Sequence, residues 1–249
     1  TNTRPDYTLV NGNVPLAFID AKSLGVDIEH DKDAAFQIRS YGWSIGAPFS
    51  IVTNFEQMAV YNCSVMPNVN DEADFARTFF FICDQYIENF ETLQAILLRS
   101  NVIAGNLRLT HGNENALDGN FSIMLGEIRK ELAKAIIKNN QIDNISTLSY
   151  YVQTIINRIL FIRVCESRGL EIEGLLKRFS EGNFWNEFKN SSYADFYNHY
   201  DGPMFKRIPP LQSLSIDNEV FDHFLNYLYY PSPYRFDVIP LKTLSDIYD

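Results

Sequence analysis

The sequence predicts a small mixed α/β layer followed by a mostly α-helical domain, and three observations support this. Before residue 68, two β-rich pairs of segments flank one stretch with helical spacing. After Pro67 the apolar residues recur every three or four positions over lengths too great for ordinary strands. The 12 glycines and 10 prolines are scattered, with no repeat or low-complexity tract.

The elements follow in order. Residues 5 to 10 and 14 to 22 read as strands around Asn11-Gly12-Asn13, a strong turn signal, and so as a β-hairpin. From Asp33 to Ser44, Ala34, Ala35, Ile38 and Tyr41 fall at helical spacing, with Asp31 or Asp33 available as the N-cap. Phe49 to Thr53 and Met58 to Cys63 are β-rich and joined by polar Asn54-Phe55-Glu56-Gln57, which predicts a second hairpin. Asp71 to Arg99, Phe121 to Lys138 and Leu148 to Arg168 are expected as helices. The Asn- and Gly-rich stretch from His111 to Asn120 is expected to be a mobile loop, and Ser191 to Pro210 to be irregular.

Composition narrows the function. At 249 residues and 46% apolar, the chain can bury at least one sizeable core. No apolar run reaches the roughly 18 residues of a membrane span and no leader is visible, so a soluble protein without a membrane partner is expected. Cys63, Cys83 and Cys165 are odd in number and never in CxxC spacing, which suggests a reducing cytoplasm and neither a disulfide framework nor a zinc site. A net charge of -10 argues against non-specific coating of nucleic acid, but leaves room for a local DNA site. Neither GxxxxGK[ST] nor GxGxxG occurs, and no methyltransferase motif is recognisable.

The first hairpin carries the chemistry. Strand alternation puts Phe18, Asp20 and Lys22 on one face and Ala17, Ile19 and Ala21 on the other. If Val10 pairs with Val14, Asp6 pairs with Phe18 and joins the charged face, while Tyr7 and Leu9 join an apolar one; a one-residue slip would send Asp6 the other way. Two carboxylates suit a hard divalent cation such as Mg²⁺, and a lysine beside them could orient or help deprotonate a water. Gln37 and Tyr41, four apart on the predicted helix, share one face.

Each signal is cheap alone. Glu187-Phe188-Lys189 also fits [DE]xK but reads as a solvated helix face, and Gln57 and Tyr61 repeat the Gln and Tyr spacing within a strand. His30 reads as a solvated loop residue, and His111, His199 and His223 are isolated from one another. Ile155, Ile156, Ile159 and Leu160 read as core; Arg158, Arg163 and Arg168 are expected to bridge to acidic neighbours, and Tyr227, Tyr229, Tyr230 and Tyr234 to pack on a further domain.

Taken in order, Pro5-Asp6, Phe18-Ile19-Asp20-Ala21-Lys22 and Gln37-Ile38-Arg39-Ser40-Tyr41 resemble the PD-(D/E)xK nuclease superfamily, in the branch with a QxxxY helix motif. Asn157 to Phe161 with Cys165 to Leu170 is similar to a helix of type IIG restriction-modification enzymes, and Tyr234 to Pro240 with Leu244 to Tyr248 to the segment that enters their methyltransferase domain.

The resemblance implies a restriction-endonuclease-like α/β core over residues 1 to 68 and a helical connector over residues 69 to 249. It further implies hydrolysis of double-stranded DNA with Mg²⁺, or Mn²⁺ in its place. Asp6 and Asp20 would bind the metal, Lys22 would assist the attacking water, and Gln37 and Tyr41 would contact DNA or support the site. The family pattern adds an acidic residue on a helix upstream of the PD motif, a position before Thr1, so an incomplete metal site is expected. S-adenosylmethionine, a methyltransferase and a target-recognition domain would belong to the rest of a parent chain. Two alternatives stand beside this: the nuclease of an ATP-dependent, type I-like subunit, or an inert DNA-docking module.

Overall fold

The computed structural model of the chain describes residues 4–104, 116–200 and 203–239. The chain groups into two compact units, Thr1–Asn120 with Pro231–Leu244, and Phe121–Tyr230 with Ser245–Asp249.

The first unit is a five-stranded mixed sheet in the order β1-β2-β3-β4-β5. Its strands are β1 (Tyr7–Asn11), β2 (Val14–Ala21), β3 (Phe49–Thr53), β4 (Gln57–Asn62) and β5 (Arg77–Ile82). All neighbours are antiparallel except β2 and β3, which pair in parallel through Ile19↔Ile51, Asp20↔Val52 and Ala21↔Thr53. Parallel neighbours need a crossover, and helix α1 (Lys32–Ser44) supplies it. Of the two candidate caps Asp31 is the one used: its Oδ1 accepts the Ala34 N–H at 2.9 Å.

The two faces of the sheet bury different clusters. Phe18, Val52, Ala59 and Tyr61 pack against Ala34, Ala35, Ile38 and Tyr41 of α1. On the other face Ala17, Ile51, Val60 and Phe81 meet helices α2 (Phe90–Leu97) and α3 (Arg99–Ala104) through Leu93, Ile96 and Val102. Each fully buried Ile or Phe contributes about 1.5–3 kcal/mol. Arg39 of α1 is also fully buried, ion-paired to Asp71 at 2.7 Å and stacked 5.0 Å from the Phe75 ring.

Two sequence expectations are corrected in this unit. Residues 71 to 99 do not form one helix: Arg77–Ile82 is the edge strand β5, paired to β4 from Gln57↔Ile82 to Tyr61↔Arg77, and helix follows only at Phe90. The aromatic run Phe79-Phe80-Phe81 satisfies either spacing locally, and the open edge of β4 settles it as strand. The hairpin register also differs. Asn11 pairs with Val14 across a two-residue turn in which Gly12 takes φ +61°, and an irregularity between Leu9 and Val10 then shifts the pairing so that Thr8 opposes Phe18.

The second unit is helical, as expected for the region after the sheet. It contains α4 (Ala116–Asn139), α5 (Ile145–Ser167), α6 (Leu175–Ser180), α7 (Phe184–Ser191), α8 (Tyr197–Tyr200), α9 (Pro209–Gln212) and α10 (Asn218–Leu228). Residues 111 to 115 of the expected mobile loop lie outside the described residues, while 116 to 120 already belong to α4. Helix α5 starts on Asn144, which caps Thr147 N at 2.8 Å, and buries Ile155, Ile156, Ile159 and Leu160.

The polar residues near the end of α5 bond largely to groups of the same unit. Glu166, 3% exposed, accepts the Tyr229 hydroxyl at 2.6 and 2.8 Å and the Leu176 N–H at 2.9 Å, which anchors the start of α6. Arg163 lies 4.5 Å from the Tyr229 ring and Lys177 4.6 Å, so the ring carries two cations. The carbonyls of Met204 and Lys206 receive Arg158, and that of Leu228 receives Arg163. Arg158 thus bonds to backbone carbonyls, and Arg163 both to one and, at 3.7 Å, to Glu166. Tyr229 and Tyr234 are both buried within this chain, so no further domain is needed to cover them.

Gly42 sets how closely α1 approaches the sheet. A Cβ there would collide with Cys63 Sγ and stand 2.6 Å from Ser50 Oγ, whereas one on Gly126 of α4 meets nothing within 4 Å. Gly42→Ala should cost about 1–3 kcal/mol or more in urea unfolding, and Gly126→Ala should be neutral or stabilising by up to about 1 kcal/mol. An unchanged midpoint for Gly42→Ala would contradict the close packing. A second expectation concerns Glu166, whose carboxyl is raised above its ordinary value by burial, against the opposing bonds from Tyr229 and Leu176. The fold therefore favours the protonated acid. Its contribution is fullest below the unfolded value near 4.5 and is lost as pH rises through the raised folded one. Glu166→Gln should cost about 1–3 kcal/mol, with the penalty shrinking from acid toward neutral pH. A penalty that grows with pH would show the opposite shift.

Candidate functional site

The hairpin irregularity decides which side Asp6 takes. Pairing across the two-residue turn alone would set β1 and β2 one residue out of step with the expected face, but the shift at Leu9 and Val10 restores it. Thr8 and Phe18 share a face, and alternation carries that face to Asp20 along β2 and to Asp6, one residue before β1 begins. The expected partner of Phe18 was Asp6 and the observed one is Thr8, yet the side assigned to Asp6 is unchanged.

Asp6 itself is exposed. Its Oδ2 accepts the Ala21 N–H at 2.7 Å, so the carboxylate lies against the peptide joining Asp20 to Ala21 and finishes the β1–β2 ladder. Asp20 is 4% exposed, in the middle strand pair. Lys22 follows β2, held by its N–H to Thr53 O at 2.8 Å, and its ammonium stands 2.6 Å from Asp20 Oδ2. The ammonium is off the line of a hydrogen bond: Asp20 Oδ2 is buried and accepts no aligned hydrogen bond among the described residues. An ion pair with lone pairs still unused is the result.

Helix α1 brings up the other two residues. Gln37 Oε1 accepts Lys22 Nζ at 2.9 Å. Gln37 also hydrogen-bonds Tyr41, one helical turn on, and the Tyr41 ring packs 5.6 Å from that of Phe18. Tyr41 is fully buried, and burial pushes its hydroxyl well above the ordinary range, so it stays neutral. Asp20, Lys22, Gln37 and Tyr41 thus make one connected group, with Asp6 attached through the backbone of β2. By contrast Gln57 Oε1 accepts Ile28 N, Tyr61 donates to Ala73 O, and Glu187 and Lys189 flank the buried Phe188 on α7. These look-alike spacings serve the fold.

Residues from the far end of the chain complete the surroundings, and sequence reasoning missed them. Arg235 donates to the Tyr41 hydroxyl and stacks 4.2 Å from its ring, while Asp237 grips the guanidinium at 3.2 and 3.3 Å. Within Tyr234-Arg235-Phe236-Asp237 a paired cation and anion sit amid buried aromatics, but nothing in that spacing points to residue 41, 194 positions away. Residues 240 to 249, the end of the motif noted in the sequence, lie outside the described residues.

Among the described residues, Asp27, Glu29 and His30 also place potential metal-ligand atoms within 4.8 Å of one another. All three are exposed, and the short His30 to Asp27 contact of 2.8 Å raises the imidazole, which accounts for the cluster as a charged loop.

No family model matches the chain, and no solved structure matches it. The chain is 28% identical over 255 residues to the Type II restriction enzyme and methyltransferase RM.Eco57I of Escherichia coli, over 99% of this chain and 25% of that protein. It therefore spans about a quarter of the length of the curated relative it matches. Along almost its whole length, what this chain is similar to is part of a restriction-modification enzyme.

Proposed function

We propose that the chain is the endonuclease portion of a restriction-modification enzyme of type IIG organisation, a PD-(D/E)xK nuclease with a QxxxY helix, hydrolysing double-stranded DNA with a divalent metal. The observation that carries the reading is the buried Asp20 carboxylate, ion-paired to Lys22 yet with an oxygen that no hydrogen bond uses. A buried carboxylate left in this state costs stability, and such sites are where function is stored. The proposed catalytic core is residues 1 to 68, to which β5 adds an edge strand; residues 69 to 249 form the connector.

The donor set fits a hard cation. Asp6 and Asp20 offer only carboxylate oxygens, and Asp6 spends one of its lone pairs on Ala21, leaving others. These two residues would hold Mg²⁺, or Mn²⁺ in its place, which when bound supplies Lewis-acid polarisation of the scissile phosphate. Lys22 would orient the attacking water, take or give its proton, and steady charge developing on the phosphate. Gln37 holds the ammonium of Lys22 in place, and Tyr41 stands behind Gln37.

The relative joins restriction and methyl transfer in its name, which favours a methyltransferase over a helicase as the neighbouring domain. S-adenosylmethionine and target recognition then belong to other parts of the parent chain. Among the described residues no helix is long and apolar enough to cross a membrane.

The test uses the intact enzyme that carries this chain. Titration calorimetry with Mg²⁺ should show a site that Asp20→Asn removes. A supercoiled-DNA nicking assay should lose activity in Asp20→Asn, and lose roughly 10²-fold or more in Lys22→Ala with metal binding retained. Wild-type cleavage in either variant would refute the mechanism.

A further inference from the structure

The Lys22 ammonium sits at the end of a flexible four-carbon stem, so something must fix where it stands. Gln37 does so only in one orientation of its amide, with Oε1 toward Lys22 and the NH₂ group toward Tyr41. The opposite orientation would face two donors to each other. Tyr41 therefore has to present its oxygen, and not its hydrogen, to Gln37.

Arg235 braces that hydroxyl. Its Nη2 donates to the Tyr41 oxygen and its guanidinium covers the ring, so the phenol is pinned beside a fixed positive charge. Without Arg235 the phenol loses this anchor, and the Gln37 amide loses a fixed partner on its Tyr41 side. Arg235 is itself fixed from several sides. Asp237 grips it side-on, its own N–H donates to Ser44 Oγ at 3.0 Å, and Ser44 Oγ donates to Pro233 O at 3.2 Å. Tyr234 packs on Trp43 at 5.3 Å, Phe236 is fully buried, and Val238 lies against the cluster beneath α1.

We propose that Arg235 is a positioning residue for the hydrolysis described above, an inference that rests on that reading: acting through the Tyr41 hydroxyl and the Gln37 amide, it sets where the Lys22 ammonium stands relative to Asp20. The proximal arrangement of the site is then complete only while residues 233 to 238 are docked on α1. The segment noted in the sequence as a lead-out toward the next domain has a second task at the nuclease.

The experiment compares Arg235→Gln, Tyr41→Phe and their combination in the intact enzyme, with Asp20→Asn as the reference for the nuclease reading. Tyr41→Phe keeps the ring and its packing and removes only the hydroxyl link. Each single change should lower kcat for DNA cleavage roughly 10- to 100-fold with KM little altered, and the double variant should be no worse than the worse single one. Wild-type kcat in Arg235→Gln, or additive losses in the double variant, while Asp20→Asn is dead, would overturn the role of Arg235 and leave the nuclease intact. Cleavage that survives Asp20→Asn would remove both. If Arg235→Gln melts early, Tyr41→Phe carries the test, and an unchanged kcat in that variant overturns the proposal.

Discussion

The parallel pairing of β2 with β3 is the constraint on which the rest of the first unit depends. Antiparallel neighbours can be joined by a tight turn, but this pair obliges the chain to cross over the sheet, and α1 is that crossing. The crossover lays Gln37 and Tyr41 over the face that carries Phe18, Asp20 and Val52. It also requires the helix to come close, which Gly42 permits by leaving room for Cys63 and Ser50. An ordinary side chain at residue 42 would lift α1 from the sheet and stretch the Gln37 to Lys22 contact at the same time.

Burial of charge divides the molecule into two kinds of polar network. Around Glu166 and Arg163 the donors and acceptors close on one another: two hydroxyl bonds, a backbone N–H, a carbonyl and stacked cations. Such a network ties the end of α5 to α6 and to Tyr229, and its hydrogen bonds offset part of the cost of desolvation. Around Asp20 the pairing stops short. The ion pair with Lys22 is close, but an oxygen of the carboxylate is left without an aligned donor, in a strand where an apolar residue would pack at less cost.

Several features were legible in the residues alone. The hairpin around Gly12, the helix from residue 32, the second hairpin and the two long helices of the second unit all follow from local spacing, caps and turn chemistry. The side taken by Asp6 was legible as well, though by a different register: apolar Leu9, Ala17 and Ile19 demand one face, and the irregularity beside Val10 is what satisfies that demand after a two-residue turn. Strand β5 was not legible. Its aromatic run is compatible with either period, and only the unpaired edge of β4 selects the extended form.

What the sequence by itself determined, then, is the order and type of most elements, the shared face of Asp20 and Lys22 on a strand and that of Gln37 and Tyr41 on a helix, because period and caps act between residues a few positions apart. What only the tertiary structure decided is the distance between groups far apart in the chain: the 2.9 Å approach of Lys22 to Gln37, the room at Gly42 beside Ser50 and Cys63, and the arrival of Arg235 on Tyr41. The physical reason is that hydrophobic burial sets a face without setting its partners. Hydrogen bonds and ion pairs between remote segments are specified only once the sheet, its crossover helix and the returning tail have packed together.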